Sequence, residues 1–226
     1  MFFISIDTSG KSGGITLAQG DAAGFRALET SAIAGGAFSA QLIPTLAELL
    51  LRHSLSIADL EGFVVVSGPG SFTGLRVGLS AIKGLAEVLK KPIATVSLLE
   101  ALATFSYQQC RVATALDAGR NEVYFGVCDF FAGSSTMVEE RLLSQAEFLE
   151  RIKSSGASRL ITSEHALADL ASTVGIPIQE VARPGSEAAA RIGLPKLLAG
   201  DIVAVETLDA NYIRRSDAEI FSKPRI

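Results

Sequence analysis

The chain of 226 residues has no tryptophan and only two cysteines and two histidines, and each scarcity excludes something. Cys110 and Cys128 have neither C-x-x-C nor cysteine–histidine spacing. That removes a zinc ribbon and a dithiol redox centre and points to a reduced, cytoplasmic protein. His53 and His165 lie far apart without acidic or cysteine companions at ligand spacing, so surface or capping roles are expected of them and no metal site. No apolar run reaches the ~18 residues of a membrane span, and no charged stretch, apolar core and cleavage site open the chain. Positive charge is short as well. With 20 Lys and Arg against 24 Asp and Glu the net charge is −4, which offers no basic field to a polynucleotide. Any RNA would have to be held mainly by another protein. The one basic cluster, Arg214, Arg215, Lys223 and Arg225, reads as a solvated tail.

What is present is globular: 48% hydrophobic and 19% charged residues exclude disorder and allow a sizeable core. The most informative stretch runs from Ser67 to Ala86. Phe63-Val64-Val65-Val66 reads as a buried strand, Gly68-Pro69-Gly70 forces a turn, and a helix follows with Thr73 as its expected N-cap. Arg76, Ser80, Lys83, Glu87 and Lys90 make one narrow polar stripe on that helix, and the remaining surface is apolar or small. One sheet contact does not need so much apolar surface, so the helix is expected to be packed on both sides, either within the chain or against another molecule. Gly70, Gly74 and Gly78, four apart, leave a groove for a second backbone, at a cost of roughly 1 kcal/mol per helical glycine. The spacing is wrong for a phosphate loop: five residues separate Gly68 from Gly74, Leu75 follows, and no dinucleotide fingerprint is formed.

Taken in order, the first half reads as strands over 2–6, 13–19 and 24–31, a helix marked by Phe38, Leu42, Ile43, Leu46, Leu49 and Leu50, the strand at 63–66, the glycine-notched helix, a strand over 93–96 and a helix over 98–105. The second half repeats this with strands over 111–116, 122–129 and 136–142, a helix over 145–153, a strand over 159–162, a helix over 166–174, a strand over 177–181 and a helix over 187–198. Both halves are β-β-β-α-β-α-β-α, and Asp7 and Asp117 follow the first strand of each. This predicts an α/β fold made by duplication. Its N-terminal lobe would span 1–105 and its C-terminal lobe 106–226, with the boundary near Phe105 to Gln109 and the final segment packing back on the first lobe. Arg120, Glu122 and Tyr124 alternate and are read as one strand face, either a surface ladder or an interface.

The duplicated order resembles the actin-like ATPase, sugar kinase and Hsp70 (ASKHA) superfamily, whose two lobes are ribonuclease H-like. Ile4-Ser5-Ile6-Asp7-Thr8-Ser9, the block from Ser67 to Ala86, Leu116-Asp117-Ala118-Gly119-Arg120-Asn121-Glu122-Val123-Tyr124 and the tail Tyr212 to Glu219 together resemble the TsaB (YeaZ) family over almost the whole length. The resemblance implies a part in making N6-threonylcarbamoyladenosine (t6A) at position 37 of tRNAs that read codons starting with A. Its implied partners are a TsaD-like catalytic subunit and a TsaE-like ATPase, with tRNA met only through the complex and no membrane involved. The catalytic relative carries a metal-binding His-x-x-x-His pair where this chain has Leu98 and Leu102, so the resemblance implies a non-catalytic homologue with no metal, and removes a metallopeptidase reading.

On the same resemblance the partner interface is expected at Gly70, Gly74, Leu75, Gly78, Leu79 and Ile82, with Leu42 and Leu46 of the preceding helix, in a helix bundle with the catalytic subunit. Alone, the chain would cover that surface as a homodimer, and a charge at Leu75 or Leu79 should abolish pairing without unfolding. Asp7, Thr8, Ser9 and Asp117 are the candidates for a vestigial nucleotide site. No cofactor is expected, and weak ATP or ADP and Mg²⁺ binding stays open. The competing reading is an ATP-dependent small-molecule kinase or ATPase that works through Asp7 and Asp117. An aspartate at a strand end also simply caps the next turn.

Overall fold

The computed structural model describes residues 1–106, 109–131, 134–211 and 213. The basic cluster and most of the tail from Tyr212 to Glu219 lie outside the described residues, as do two positions within the expected boundary at 105–109. Two five-stranded sheets are built by the same rule. In the first, β1 (Phe2–Asp7), β2 (Ser12–Asp21) and β3 (Gly24–Ala34) form an antiparallel meander, and β4 (Leu60–Gly68) and β5 (Ile93–Ser97) add in parallel on the other side of β1. In the second, β6 (Cys110–Gly119), β7 (Glu122–Phe131) and β8 (Ser134–Ser144) repeat the meander, and β9 (Leu160–Thr162) and β10 (Ile178–Glu180) the parallel additions. The spatial orders β3-β2-β1-β4-β5 and β10-β9-β6-β7-β8 are the same pattern twice. This is the duplicated actin-like fold of two ribonuclease H-like halves.

Each sheet splits its apolar residues between two faces, as the period of two demands. Ile4, Ile6, Phe63 and Val65 point into an outer core shared with α1 (Phe38–Arg52) and α2 (Phe72–Leu89). Phe3, Val64 and Val66 point the other way, into a middle core. Phe125 and Val127 of the second sheet meet α4 (Gln145–Ser154) and α5 (His165–Ala171) in a third. Between the sheets the helices change sides. α3 (Leu98–Ala103), which ends the first half, packs mainly on β6, β7 and β8, whereas α6 (Ser186–Ala199), which ends the second, packs on β1 to β5. Leu98 and Leu102 are fully buried in this middle core. There Lys196 on α6 donates to Glu100 Oε2 on α3 at 2.8 Å and to the Thr95 carbonyl at 3.2 Å, so the buried carboxylate has a cation beside it.

Local details depart from the sequence reading in two places. Ser71, not Thr73, caps α2: its hydroxyl accepts from the Gly74 amide at 3.2 Å, and the helix starts one turn ahead of the polar stripe. Arg120 is not on a strand with Glu122 and Tyr124. It shares a two-residue turn with Asn121, at φ 56° and 60°, which closes the β6–β7 hairpin where Gly119 pairs with Glu122.

Candidate functional site

Parallel strands that end at one edge release their loops side by side, the usual place for a ligand crevice in such sheets. Here β1 and β4 leave through Ser9–Lys11 and Pro69–Ser71, β6 reaches the same edge at Ala118 near its end, and β9 is followed by Glu164. Together with Arg183 these line a cleft of about 1340 Å³ between the halves. The first turn of α2 forms one wall, where the Arg76 guanidinium lies 3.8 Å above the Phe72 ring. Tyr124 and Asp117 stand on the opposite side. Burial raises the Tyr124 phenol above its usual range, and the Asp117 charge acts in the same direction.

The four candidates for a nucleotide site are not brought together as one set. Ser9 and Asp117 line the cleft, and the Asp117 carboxylate accepts the Gly119 amide at 2.9 Å, capping its own turn. Thr8 spends its hydroxyl on the Gly74 carbonyl at 2.7 Å. Asp7 is buried, with Oδ1 accepting both the Ser9 amide at 2.8 Å and the Ser9 hydroxyl at 2.6 Å. Burial pushes the Asp7 carboxyl above its ordinary range, with the Ser9 bonds and the Arg183 charge offsetting only part of that. A side chain so placed braces the loop and does not reach into the cleft. Arg183, which sequence reasoning missed, crosses from the second half to donate to Ser9 Oγ at 3.3 Å. An isolated arginine in a loop carries no periodicity that could have announced it.

The sign of the Asp7 shift gives a prediction. A carboxyl whose folded pKa lies above its unfolded value binds its proton more tightly when folded, so stability falls as pH rises through that window. Asp7→Asn keeps an acceptor for Ser9 and removes the ionisation. The variant is expected to melt higher than the parent at about pH 7 and to show no such gain at about pH 3, by calorimetry. A lower melting point at neutral pH would mean that Arg183 holds the carboxylate ionised.

Most of the residues expected at the interface face inward. Leu75, Leu79, Ile82, Leu42 and Leu46 are all buried in the chain's own outer core. The backbone in the glycine groove is also the chain's own. A methyl at Gly70 would run into the Ser9 carbonyl, at Gly74 into the Thr8 carbonyl and at Gly78 into the Thr8 hydroxyl. The Ser71 amide completes this seam by donating to the Ser9 carbonyl at 2.8 Å. Apolar side chains of the same two helices also face outward, on their far sides. Ile43 and Leu51 of α1 are 49% and 77% exposed, and Val88 of α2 is 80% exposed. Ala47 lies between the first two at helical spacing, and Val77 and Ala81 precede Val88 on α2, half-buried.

Among the described residues no group of three or more His, Cys, Asp or Glu is placed to hold a metal ion, and no helix is long and apolar enough to cross a membrane. The family described as "TsaD: tRNA N6-adenosine threonylcarbamoyltransferase" matches residues 32–196. The tRNA threonylcarbamoyladenosine biosynthesis protein TsaB of Bacillus subtilis is 32% identical over 68% of this chain and 66% of its own length, just under two thirds of that relative. Its Escherichia coli counterpart is 28% identical over 79% of this chain and 81% of its own. A Pseudomonas aeruginosa crystal structure, described as similar to peptidase YeaZ, superposes with a TM-score of 0.77 at 25% identity, covering 94% of this chain and 99% of that one.

Proposed function

We propose, because the chain belongs to the TsaB (YeaZ) family, that it is a non-catalytic subunit of the cytoplasmic apparatus that forms t6A at position 37 of tRNAs reading codons that start with A. It supports a TsaD-like catalytic subunit and works alongside a TsaE-like ATPase, and it meets tRNA through the complex. The observation that carries this reading is the exposed apolar face of α1 and α2, with Ile43, Leu51 and Val88 outward on helices whose inner faces are already filled. Large aliphatic side chains set out at helical spacing on neighbouring helices suit the equivalent helices of a relative with the same fold. In the absence of that relative a second copy of the chain covers them. Leu98 and Leu102 give a metal no lone pair, which supports the non-catalytic assignment.

The test is reconstitution of t6A on tRNA from purified components with and without this chain. The proposal expects modification to need the chain, and the chain alone to turn over no substrate. Full modification without it would end the proposal. The cleft keeps a second reading alive, an ATP-dependent kinase or ATPase, which the withdrawal of Asp7 from the cleft opposes. Calorimetric titration with Mg-ATP separates the two: a kinase binds it in the micromolar to millimolar range, and Asp117→Asn sharply reduces its turnover.

A further inference from the structure

Glu140 lies on β8, at the edge of the second sheet and opposite Gly126, yet both partners of its carboxylate lie outside that sheet. Oε1 accepts the hydroxyl of Ser97, at the end of β5 in the first sheet, and Oε2 accepts Nδ2 of Asn211 at 2.6 Å. Asn211 lies on a strap that runs from α6 back over the first half. The Val203 amide donates to the Ile93 carbonyl and the Asn211 amide to the Ser67 carbonyl, each at 2.8 Å, while Leu208 and Ala210 are buried in the outer core. The strap is thus pinned at Val203 and Asn211 by the first half, and at Asn211 also by a carboxylate from the second. Asn211 also lines the cleft.

Among the described residues the charged groups near Glu140 are Glu100 from α3 and Lys196 from α6, with the buried, neutral Cys128 thiol of β7 also beside it, and the Lys196 ammonium is hydrogen-bonded to Glu100 and to the Thr95 carbonyl. Its neighbours Glu139 and Arg141 are paired with each other, and Glu139 also with Arg151. The donors that meet Glu140 are therefore neutral, a hydroxyl and an amide, so its negative charge is met by dipoles beside a second carboxylate. Burial holds its carboxyl above the usual range. The Ser97 and Asn211 bonds offset part of that, Glu100 adds to it and Lys196 subtracts.

We propose that Glu140 is a proton-linked clasp on this strap: the clasped state favours the neutral carboxyl, release hydrates and ionises it, and the strap and the cleft wall it carries loosen as pH rises. The neutral carboxyl keeps both contacts, with its carbonyl accepting from Ser97 and its hydroxyl donating to the Asn211 amide oxygen once that group turns. The proton is exchanged with solvent.

Hydrogen exchange of the full chain, corrected for the intrinsic dependence on pH, tests this at the Val203 and Asn211 amides. Their protection should fall as pH is raised from about 5 to about 8, by at most about tenfold for each unit by which release lowers the Glu140 pKa. Glu140→Gln should hold the low-pH protection at every pH, Glu140→Ala should lose it at every pH, and Glu100→Gln should keep the slope. A flat parent profile, or a slope that persists in Glu140→Gln or vanishes in Glu100→Gln, overturns the proposal, as does parental protection in Glu140→Ala. Should Glu140→Gln fail to fold, Asn211→Ala carries the test, since it cuts only the outer contact. Protection and slope should then fall together, and an unchanged slope overturns the clasp.

Discussion

Leu79→Asp is expected to give a chain that does not fold, whereas Val88→Asp, two and a half turns along the same helix, should give a folded chain that pairs more weakly. Leu79 is 5% exposed and Val88 80%. Deleting a buried leucine costs about 2–5 kcal/mol, and an unpaired carboxylate in its place adds more, which together approach the whole stability of a domain. At Val88 the folded chain loses almost nothing, because surface substitutions away from special features stay within about 0.5 kcal/mol. A charge there must instead be desolvated if a partner covers it. Combined with Leu51→Asp, the loss of affinity for a TsaD-like subunit should reach about a hundredfold or more, since interface residues of this weight cost about 2 kcal/mol or more each. Circular dichroism separates the two outcomes and calorimetry measures the second. Unchanged affinity in the folded double variant would move the docking surface elsewhere.

The second large effect is expected at Gly74. Its carbonyl accepts the Thr8 hydroxyl at 2.7 Å, and a side chain there would meet the Thr8 carbonyl, which is backbone and cannot swing aside. Gly74→Val adds a branched side chain to a seam with no room. Overpacking of this kind costs about 3 kcal/mol and outweighs the roughly 1 kcal/mol a helix recovers on losing a glycine. For a chain of this size the net loss of about 2 kcal/mol lowers the melting temperature by about 4–8 °C. Gly84, where a side chain meets open space, is the control, and Gly84→Ala should hold or raise the melting temperature. Equal behaviour of the two variants would show that the seam between α2 and the β1–β2 loop yields easily.

The order of elements was legible because each half alternates periods clearly. Ile4 to Ile6 and Phe63 to Val66 are too short and too β-branched for helices, while Phe38, Leu42, Leu46 and Leu49 fall at helical spacing. The groove of Gly70, Gly74 and Gly78 was also legible as a place of close backbone approach. What fills it was not, because a glycine records proximity without recording its neighbour. The same limit applies to the leucines expected at an interface, which are buried in the chain's own core. Leu75 and Leu79 look like any apolar stripe, and the stripe that faces the sheet is the one such spacing selects first. One signal for the outward face did exist. At 100° per residue Leu49, Leu50 and Leu51 cannot all face one sheet, and Leu51 is the one left outside. The cleft was half legible: Asp7 and Asp117 mark equivalent strand ends, but burial, which decides that Asp7 braces and Asp117 faces open space, depends on contacts far away in sequence.

The exchange of α3 and α6 between the halves bears on how the protein is made. A ribosome that has released only the first hundred residues has released a sheet with one bare face, because the helix that covers it is encoded near position 190. The early half keeps that apolar face uncovered until nearly the whole polypeptide has emerged, and synthesising the halves as separate pieces would leave each without its lid.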